Sequence, residues 1–263
     1  MYKGVRALLL AAGLGTRLRP LTDQWPKCLM PICKRPLLEY WLHTLYNVGV
    51  QKVLVNTHFH ADQVNAFLDR EQFSSWVKSV YEPELLGTAG SLRANFEYFN
   101  GHTTLLIHAD NWCICDFGAF LSYHLKQRPA NCLVTMMTFD TNTPHSCGVV
   151  ETDDQGVVVA FHEKVTNPPG KLANAAVYLL EPQVIEWLRC HPEVVDFSAE
   201  VIPQFIGRIA TWHNTGILRD IGTLPELRAA QNDPMPQYYW TGEDEWQKKF
   251  RSSSVFADLL CIL

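Results

Sequence analysis

The sequence predicts a doubly wound α/β fold, a mostly parallel sheet with a second, mixed lobe built onto it. Three observations point there. Short apolar runs alternate with amphipathic stretches from residue 5 to about residue 140. Those runs are close to continuous rather than alternating, the pattern of parallel strands buried on both faces. Beyond residue 140 the rhythm changes to hairpin-like segments.

Residues 5–10 form an apolar run of strand length. Residues 37–48, LLEYWLHTLYNV, place apolar side chains at 37, 38, 41, 42, 45 and 48, a helical spacing, and Gly49 suits the C-terminal stop. Strands are expected over 52–56, 76–82, 103–109 and 131–139, and helices over 61–70, 90–99 and 117–127. Residues 147–164 read as two strands around an Asp154-Gln155-Gly156 turn, followed by a strand over 175–180 and a helix over 182–189. The globular part, 1–231, divides near residue 140. Residues 232–263 open on two prolines and two tyrosines, carry the polar helix-like EDEWQKKF, and read as a C-terminal appendage.

Composition excludes several classes. The 263 residues are 47% hydrophobic and carry a net charge of −5, so no basic surplus points to nucleic acid. No apolar stretch reaches membrane-span length, and the start lacks the shape of a signal peptide. Eight cysteines lie scattered among apolar neighbours. Cys113-x-Cys115 is the one close pair and has no second pair at zinc-ligand spacing. Reduced thiols and a cytoplasmic location are expected. The terminal Cys261-Ile262-Leu263 is one residue short of a prenylation box.

Open α/β sheets bind ligands outside the carboxyl ends of their strands. Three polar segments fall at such ends, 11–19, 87–90 and 108–111, and would be neighbours once folded. In AAGLGTRLRPLT, Gly13 and Gly15 allow backbone amides to approach an anion, and Arg17 offers a planar cation for phosphate. A Walker loop needs a terminal Gly-Lys-Ser/Thr, and a dinucleotide fingerprint needs glycine at Leu18; neither is present. A phosphate loop of another kind remains.

The run LAAGLGTRLRPLT, followed by Pro26-Lys27, resembles the sugar-1-phosphate nucleotidyltransferases that make nucleotide sugars. The resemblance continues through VNTHFHADQV, ELLGTAGSL, LLIHADN, FHEK, LANAAVYLL and LRDIGTLPELRAAQ, covering residues 5–231. LGTAG, HADNWCICDF and RDIGT are most similar to the branch containing mannose-1-phosphate and heptose-1-phosphate guanylyltransferases. No hexapeptide-repeat β-helix follows residue 231.

The resemblance implies a fold, a reaction and a set of site residues. The fold would be Rossmann-like, residues 1–140 binding nucleotide and 141–231 binding sugar phosphate. A sugar-1-phosphate oxygen would attack the α-phosphorus of a nucleoside triphosphate, GTP by preference, and pyrophosphate would leave. Arg17 would bind the triphosphate and Lys27 the α-phosphate side. Leu10, Ala11, Ala12, Gly13, Gly15, Thr16, Gly87 and Thr88 would hold the nucleotide, the base mainly through backbone groups. Asp110 and Asp220 would hold Mg²⁺, which favours a few carboxylates plus phosphate oxygens. Gly148, Glu163, Lys164 and Asn174 would hold the sugar phosphate. Val165 stands where many relatives have proline, and Ala109 where they have serine or glycine. The partners would be these two small molecules, with no nucleic acid and no membrane, and a homo-oligomer is compatible with the family. Uridylyl or thymidylyl transfer is one alternative, and a non-catalytic nucleotide-sugar-binding regulator another. Retention of Arg17, Lys27, Asp110 and Asp220 favours an enzyme.

Two further features bear on the site. Thr223 and Glu226 have capping-box spacing, which would leave Asp220 free of a capping role. His58, His60 and Asp62 resemble a metal cluster, but the same phrase occurs in the family away from the chemistry, so a structural role is expected.

Overall fold

The computed structural model describes residues 2, 4–236, 243–254 and 256–257. Its strands in the first half are β1 (Arg6–Leu10), β2 (Pro31–Ile32), β3 (Arg35–Pro36), β4 (Val53–Thr57), β5 (Val77–Tyr81), β6 (Thr104–His108) and β7 (Asn111–Ile114). Those of the second half are β8 (Val134–Asp140), β9 (Gly148–Thr152), β10 (Val158–Glu163), β11 (Leu172–Leu180), β12 (Ile209–His213) and β13 (Ile217–Asp220).

β1 is the axis. It runs parallel to β4 on one side, with Leu8 opposite Leu54, and parallel to β6 on the other, with Leu8 opposite Leu106. The chain thus turns both ways from β1, and the switch opens a crevice at the carboxyl ends of β1 and β6. Successive side chains of β1 feed opposite faces. Leu9 joins Val53, Val55, Leu105 and Ile107 beneath the helix Leu37–Asn47. Leu8 joins Leu54 and Leu106 beneath the helices Gly87–Ala94 and Pro182–Cys190. These strands are buried on both faces, as their apolar runs predict.

Several elements differ from the sequence expectation for identifiable reasons. β5 is the sheet edge, and Lys78 and Ser79 face solvent there, so this strand is not buried on both sides. The helix expected over 90–99 starts earlier and breaks at Asn95, whose side chain bonds the Ser91 carbonyl, giving Gly87–Ala94 and Phe96–Phe99. The strand β8 does not continue the parallel set. Antiparallel β11 intervenes between β6 and β8, and β12 then runs parallel to β8. The helix Leu37–Asn47 ends as Gly49 allows. Gly49 takes φ 81, its N–H bonds the Tyr46 carbonyl, and that of Val50 bonds the Leu45 carbonyl.

β11 also builds the lobe. Its register against β8 shifts between Asn174 and Tyr178, and Ala176 adopts φ 54. The strand therefore bends out of the main sheet, and its first half carries the β9–β10 hairpin. In the C-terminal segment the helix Glu245–Arg251 opens with a capping box between Asp244 and Gln247. It lays Trp246 and Phe250 against Trp25 and Phe67. Beneath it Arg70 pairs with Glu39 and Asp244. Tyr238, Tyr239 and Cys261-Ile262-Leu263 lie outside the described residues. The seven described cysteines are free thiols. Among the described residues no helix is long and apolar enough to cross a membrane.

Candidate active site

The carboxyl end of β1 hands the chain to the glycine-bearing loop. The Ala11 N–H donates to Asn56 Oδ1 at 2.6 Å, and the Ala109 N–H donates to the Leu10 carbonyl at 3.0 Å, so both neighbouring strands fix the exit. Gly15 adopts φ 63, and a Cβ there would lie 2.8 Å from Thr22 Cγ2. Thr22 Oγ1 in turn donates to the Gly15 carbonyl at 2.9 Å. Gly13 has nothing within 4 Å of where its Cβ would point. The Thr16–Leu18 turn then buries Leu18, which explains why no glycine stands there, and presents Arg17 outward.

Four charged groups from four segments meet beside this loop. Lys27 Nζ donates to Asp110 Oδ2 at 2.7 Å and to Asp220 Oδ1 at 2.6 Å. Arg17 Nη2 donates to Asp220 Oδ2 at 2.7 Å. Both aspartates are placed by a two-stranded ribbon that sequence reasoning missed. β7 and β13 pair antiparallel with Asn111 opposite Asp220, and Asp110 immediately precedes β7. Each strand has four residues and lies about a hundred positions from the other, too short and too distant to show in a local pattern.

Burial opposes the charge on Lys27, whose side chain is 7% exposed, but Asp110 and Asp220 outweigh it and hold the ammonium above its ordinary range. Burial likewise opposes the charge on Asp220, and Lys27 and Arg17 outweigh it, keeping the carboxyl low. The bond from Asp220 and its charge raise Arg17. Lys27 and Arg17 are thus held as cations and Asp220 as an anion. Lys27 is therefore a fixed charge rather than a proton donor.

A cavity of about 450 Å³ adjoins the cluster. Its lining includes Leu10, Ala11, Ala12, Gly13, Gly15, Thr16, Arg17, Lys27, Gly87, Thr88 and Asp110, drawn from four separate stretches of the sequence. Gly87 and Thr88 form the first turn of a helix rather than a strand end. Gly87 has φ 74, and a Cβ would strike Val195, 2.5 Å from Cγ1 and 2.6 Å from its carbonyl oxygen. Thr88 Oγ1 accepts from the Phe197 N–H at 2.6 Å, so its side chain holds the wall.

Gly148, Glu163, Lys164 and Asn174 line no part of that cavity and form a second patch. Gly148 pairs with Glu163, and Ala173 with Val149, which sets Asn174 on the other side of Gly148. The three make a row with glycine in the middle. A Cβ on Gly148 would lie 2.7 Å from Glu163 Oε2 and 2.5 Å from the Phe161 ring. Asn174 Nδ2 donates to the Tyr178 hydroxyl at 2.6 Å. Lys164, at φ 49 and largely exposed, lies 3.3 Å from Glu163. Asn111 Nδ2 reaches the Ala175 carbonyl at 3.2 Å, tying this patch to the aspartate ribbon.

Residues 6–235 match the family model described as nucleotidyl transferase. The chain belongs to the nucleotidyl transferase family. It is 28% identical to a UTP–glucose-1-phosphate uridylyltransferase of Synechocystis over 239 residues, 84% of this chain and 61% of the relative. It is 30% identical to a mannose-1-phosphate guanylyltransferase of Mycobacterium tuberculosis over 224 residues, 83% of this chain and 61% of that one. The chain thus spans about three fifths of the length of these curated relatives. A Bacillus anthracis structure bearing the name glucose-1-phosphate thymidylyltransferase superposes with a TM-score of 0.79 at 19% identity, covering 89% of this chain and 98% of that one. That likeness establishes the Rossmann-like nucleotidyltransferase fold.

Within this family member the structure adds residues that sequence reasoning passed over. Asn56, Glu82 and Ser91 form a buried network at the cavity floor. Glu82 Oε1 accepts from Asn56 Nδ2 at 2.9 Å and from Ser91 Oγ at 2.6 Å. Asn56 was visible inside VNTHFHADQV but carried no role, and only the pairing of β4 with β1 and β5 brings it to Ala11 and Glu82. Gly222 is another. A Cβ there would lie 2.7 Å from Arg17 Nη2.

The capping and histidine expectations meet different outcomes. Thr223 makes no side-chain cap to the helix Leu224–Gln231, and the Glu226 side chain accepts from Arg219 at 3.4 Å rather than reaching back to Thr223. Asp220 stays out of that cap on its own account, engaged by Arg17, Lys27 and the Gly222 N–H. His58 and His60 bond the carbonyls of Glu82 and Thr22, at 2.8 and 3.3 Å, and brace the loops around the cavity.

Proposed function

We propose that this chain transfers a nucleotidyl group from a nucleoside triphosphate to a sugar 1-phosphate, releasing pyrophosphate, with GTP the favoured donor and a mannose- or heptose-type 1-phosphate the acceptor. The observation that carries the transferase reading is the meeting of Arg17, Lys27, Asp110 and Asp220 at the mouth of the cavity. Joining two polyanions is chiefly a matter of neutralising charge and holding geometry. Arg17, two-thirds exposed, can swing from Asp220 onto a triphosphate and grip two of its oxygens. The open face of Gly13 gives a phosphate room against the loop backbone. Lys27 is held too firmly to move far, so it offers a fixed positive charge where the α-phosphate would arrive.

The donor set fits Mg²⁺. Among the described residues no group of three or more His, Cys, Asp or Glu side chains could hold a metal. Asp110 and Asp220 are a pair of hard carboxylates, and Asp110 keeps Oδ1 outside its bond to Lys27. Two carboxylates completed by phosphate and water oxygens is the coordination magnesium favours. When bound, the ion supplies charge neutralisation on the phosphate oxygens.

Glu82 supports guanine. It is 2% exposed and lines the cavity. Its Oε1 is occupied by Asn56 and Ser91, whereas Oε2 has one long bond, 3.4 Å from the Leu86 N–H. A carboxyl oxygen without a donor of its own can accept, and guanine presents a ring N–H and an exocyclic amine as adjacent donors. Relatives named as mannose-1-phosphate guanylyltransferases point the same way. The test is a matrix of nucleoside triphosphates against sugar 1-phosphates, read as pyrophosphate release. GTP is expected to exceed UTP and dTTP in kcat/KM, and Glu82→Gln to erase roughly 10-fold or more of that preference. Wild-type turnover of UTP or dTTP equal to that of GTP would remove the guanylyl reading and leave the transferase reading standing. No turnover with any pair would remove both.

A further inference from the structure

We propose that Trp25, Trp246 and Phe250 are positioning residues of the active centre: the C-terminal helix Glu245–Arg251 clamps the Pro26-Lys27 turn through Trp25 and so sets where the Lys27 ammonium stands. The helix lies beyond the 6–235 span of the family model, so this support is additional to the family's common body. The inference rests on the phosphate-side role proposed for Lys27.

The geometry is a short chain of contacts. Trp25 immediately precedes Pro26 and Lys27, and its Nε1 donates to the Leu29 carbonyl at 3.0 Å, spanning the turn Lys27–Leu29 from end to end. The backbone closes the same turn, with the Leu29 and Met30 N–H groups bonding the Pro26 and Lys27 carbonyls. The outer face of Trp25 is covered by Phe250, stacked at 5.3 Å and 29°, and by Trp246 at 6.3 Å. Trp246 and Phe250 stack on each other at 5.1 Å.

The helix is itself anchored to the body. Asp244, its N-cap, pairs with Arg70 at 2.6 Å, and Arg70 pairs with Glu39 at 2.8 Å. The Arg70 side chain is 4% exposed and that of Glu39 wholly buried. The Arg70 guanidinium also sits about 5.2 Å from the Trp246 ring centroid. A desolvated ion pair tolerates little displacement, because moving one partner leaves the other charge buried and unpaired. The aromatic plate over Trp25 is tied to that buried pair through Asp244, whose side chain is 36% exposed, and through the Arg70 guanidinium over Trp246.

At the inner end, Lys27 holds two carboxylates at 2.7 and 2.6 Å. A rotation of Trp25 into space vacated by Phe250 loosens the turn and shifts Nζ by a fraction of an ångström. Misplacement on that scale costs rate rather than ground-state affinity, since substrate still binds through the loop and Arg17.

The experiment compares Phe250→Ala, Phe250→Leu, Trp25→Ala, the double variant Trp25→Ala/Phe250→Ala and Lys27→Ala in the full chain. The readouts are pyrophosphate release and thermal melting. Phe250→Ala is expected to lower kcat by about 10-fold or more while both KM values stay within about twofold, and Phe250→Leu to restore most of the rate. The double variant is expected to be no slower than Trp25→Ala, because both act through one side chain. A lower melting temperature with kcat unchanged, or rate losses that multiply in the double variant, would overturn the proposal. If Phe250→Ala does not fold, Trp25→Phe decides, since it keeps a ring beneath Phe250 but loses the bond to the Leu29 carbonyl: a lower kcat at unchanged KM supports the clamp, and wild-type kcat overturns it. Active Lys27→Ala would remove the role given to Lys27, whereas inactive Lys27→Ala beside fully active Phe250→Ala would remove only the clamp.

Discussion

Gly222→Ala should disable turnover while leaving the fold intact. Gly222 is not in the left-handed backbone region, so an alanine suits its main chain. The difficulty is space. The new Cβ would lie 2.7 Å from Arg17 Nη2, 3.0 Å from Arg17 Cζ and 2.9 Å from Asp220 Oδ1. Asp220 is restrained by Lys27 at 2.6 Å and by the Gly222 N–H at 2.9 Å, whereas the Arg17 side chain is 66% exposed. Arg17 therefore yields first, by about 0.7 Å if it is to reach ordinary van der Waals contact. An exposed ion pair contributes about 0–1 kcal/mol, so a melting shift beyond about 4 °C is not expected. A guanidinium displaced by that much from developing phosphate charge should cost about 10- to 100-fold in kcat. Pyrophosphate release under saturating substrates gives the rate, beside Arg17→Ala and the double variant. The double variant should match Arg17→Ala. Turnover of Gly222→Ala within about twofold of wild type would refute the reasoning, as would a double variant far slower than Arg17→Ala.

Asp220→Asn should fold and lose about 10²-fold or more in turnover at limiting magnesium, since a neutral amide binds Mg²⁺ poorly; undiminished activity would remove the metal role proposed for Asp220. Gly148→Ala should raise the KM for sugar 1-phosphate about 10-fold while leaving that for the nucleotide within about twofold, and cost about 1–3 kcal/mol, because its Cβ overlaps Glu163 Oε2 at 2.7 Å and the Phe161 ring at 2.5 Å. An unchanged sugar-phosphate KM would take Glu163 off the sugar side. Burial pushes His124 down to about 4, with the Arg128 charge adding to it. The unfolded chain then binds more protons than the folded one between about pH 4 and 6.5. Stability present above that window should fall by roughly 3 kcal/mol as pH drops through it. Denaturant titrations across the window should show this slope in the wild type and not in His124→Gln; equal slopes would assign the effect elsewhere.

Local pattern alone determined the buried strands β1, β4 and β6, the helix Leu37–Asn47 with its glycine stop, and the β9–β10 hairpin. In each of these the apolar period or turn chemistry is complete within about a dozen residues. The charged residues of the site were legible too, though through a long motif rather than through anything their spacing shows. Local pattern could not disclose β7 and β13, which have no apolar face long enough to register and exist only as partners of each other. It could not disclose that β11 enters the sheet antiparallel between β6 and β8, because strand order depends on which surfaces are covered. Glu82 stands at the end of the strand expected over 76–82 with nothing local to mark it, and only the pairing of β5 with β4 brings it to Asn56. The helix Glu245–Arg251 read as a polar appendage, and it became part of the core once Arg70 and Glu39 gave its cap a buried partner. Lys27 illustrates the division most directly. The motif marked it, but only tertiary structure brought Asp110 and Asp220, 83 and 193 residues away, to either side of one ammonium. A charge can be buried there because its counter-charges arrive with it, and their arrival is a property of chain topology rather than of any local stretch of sequence.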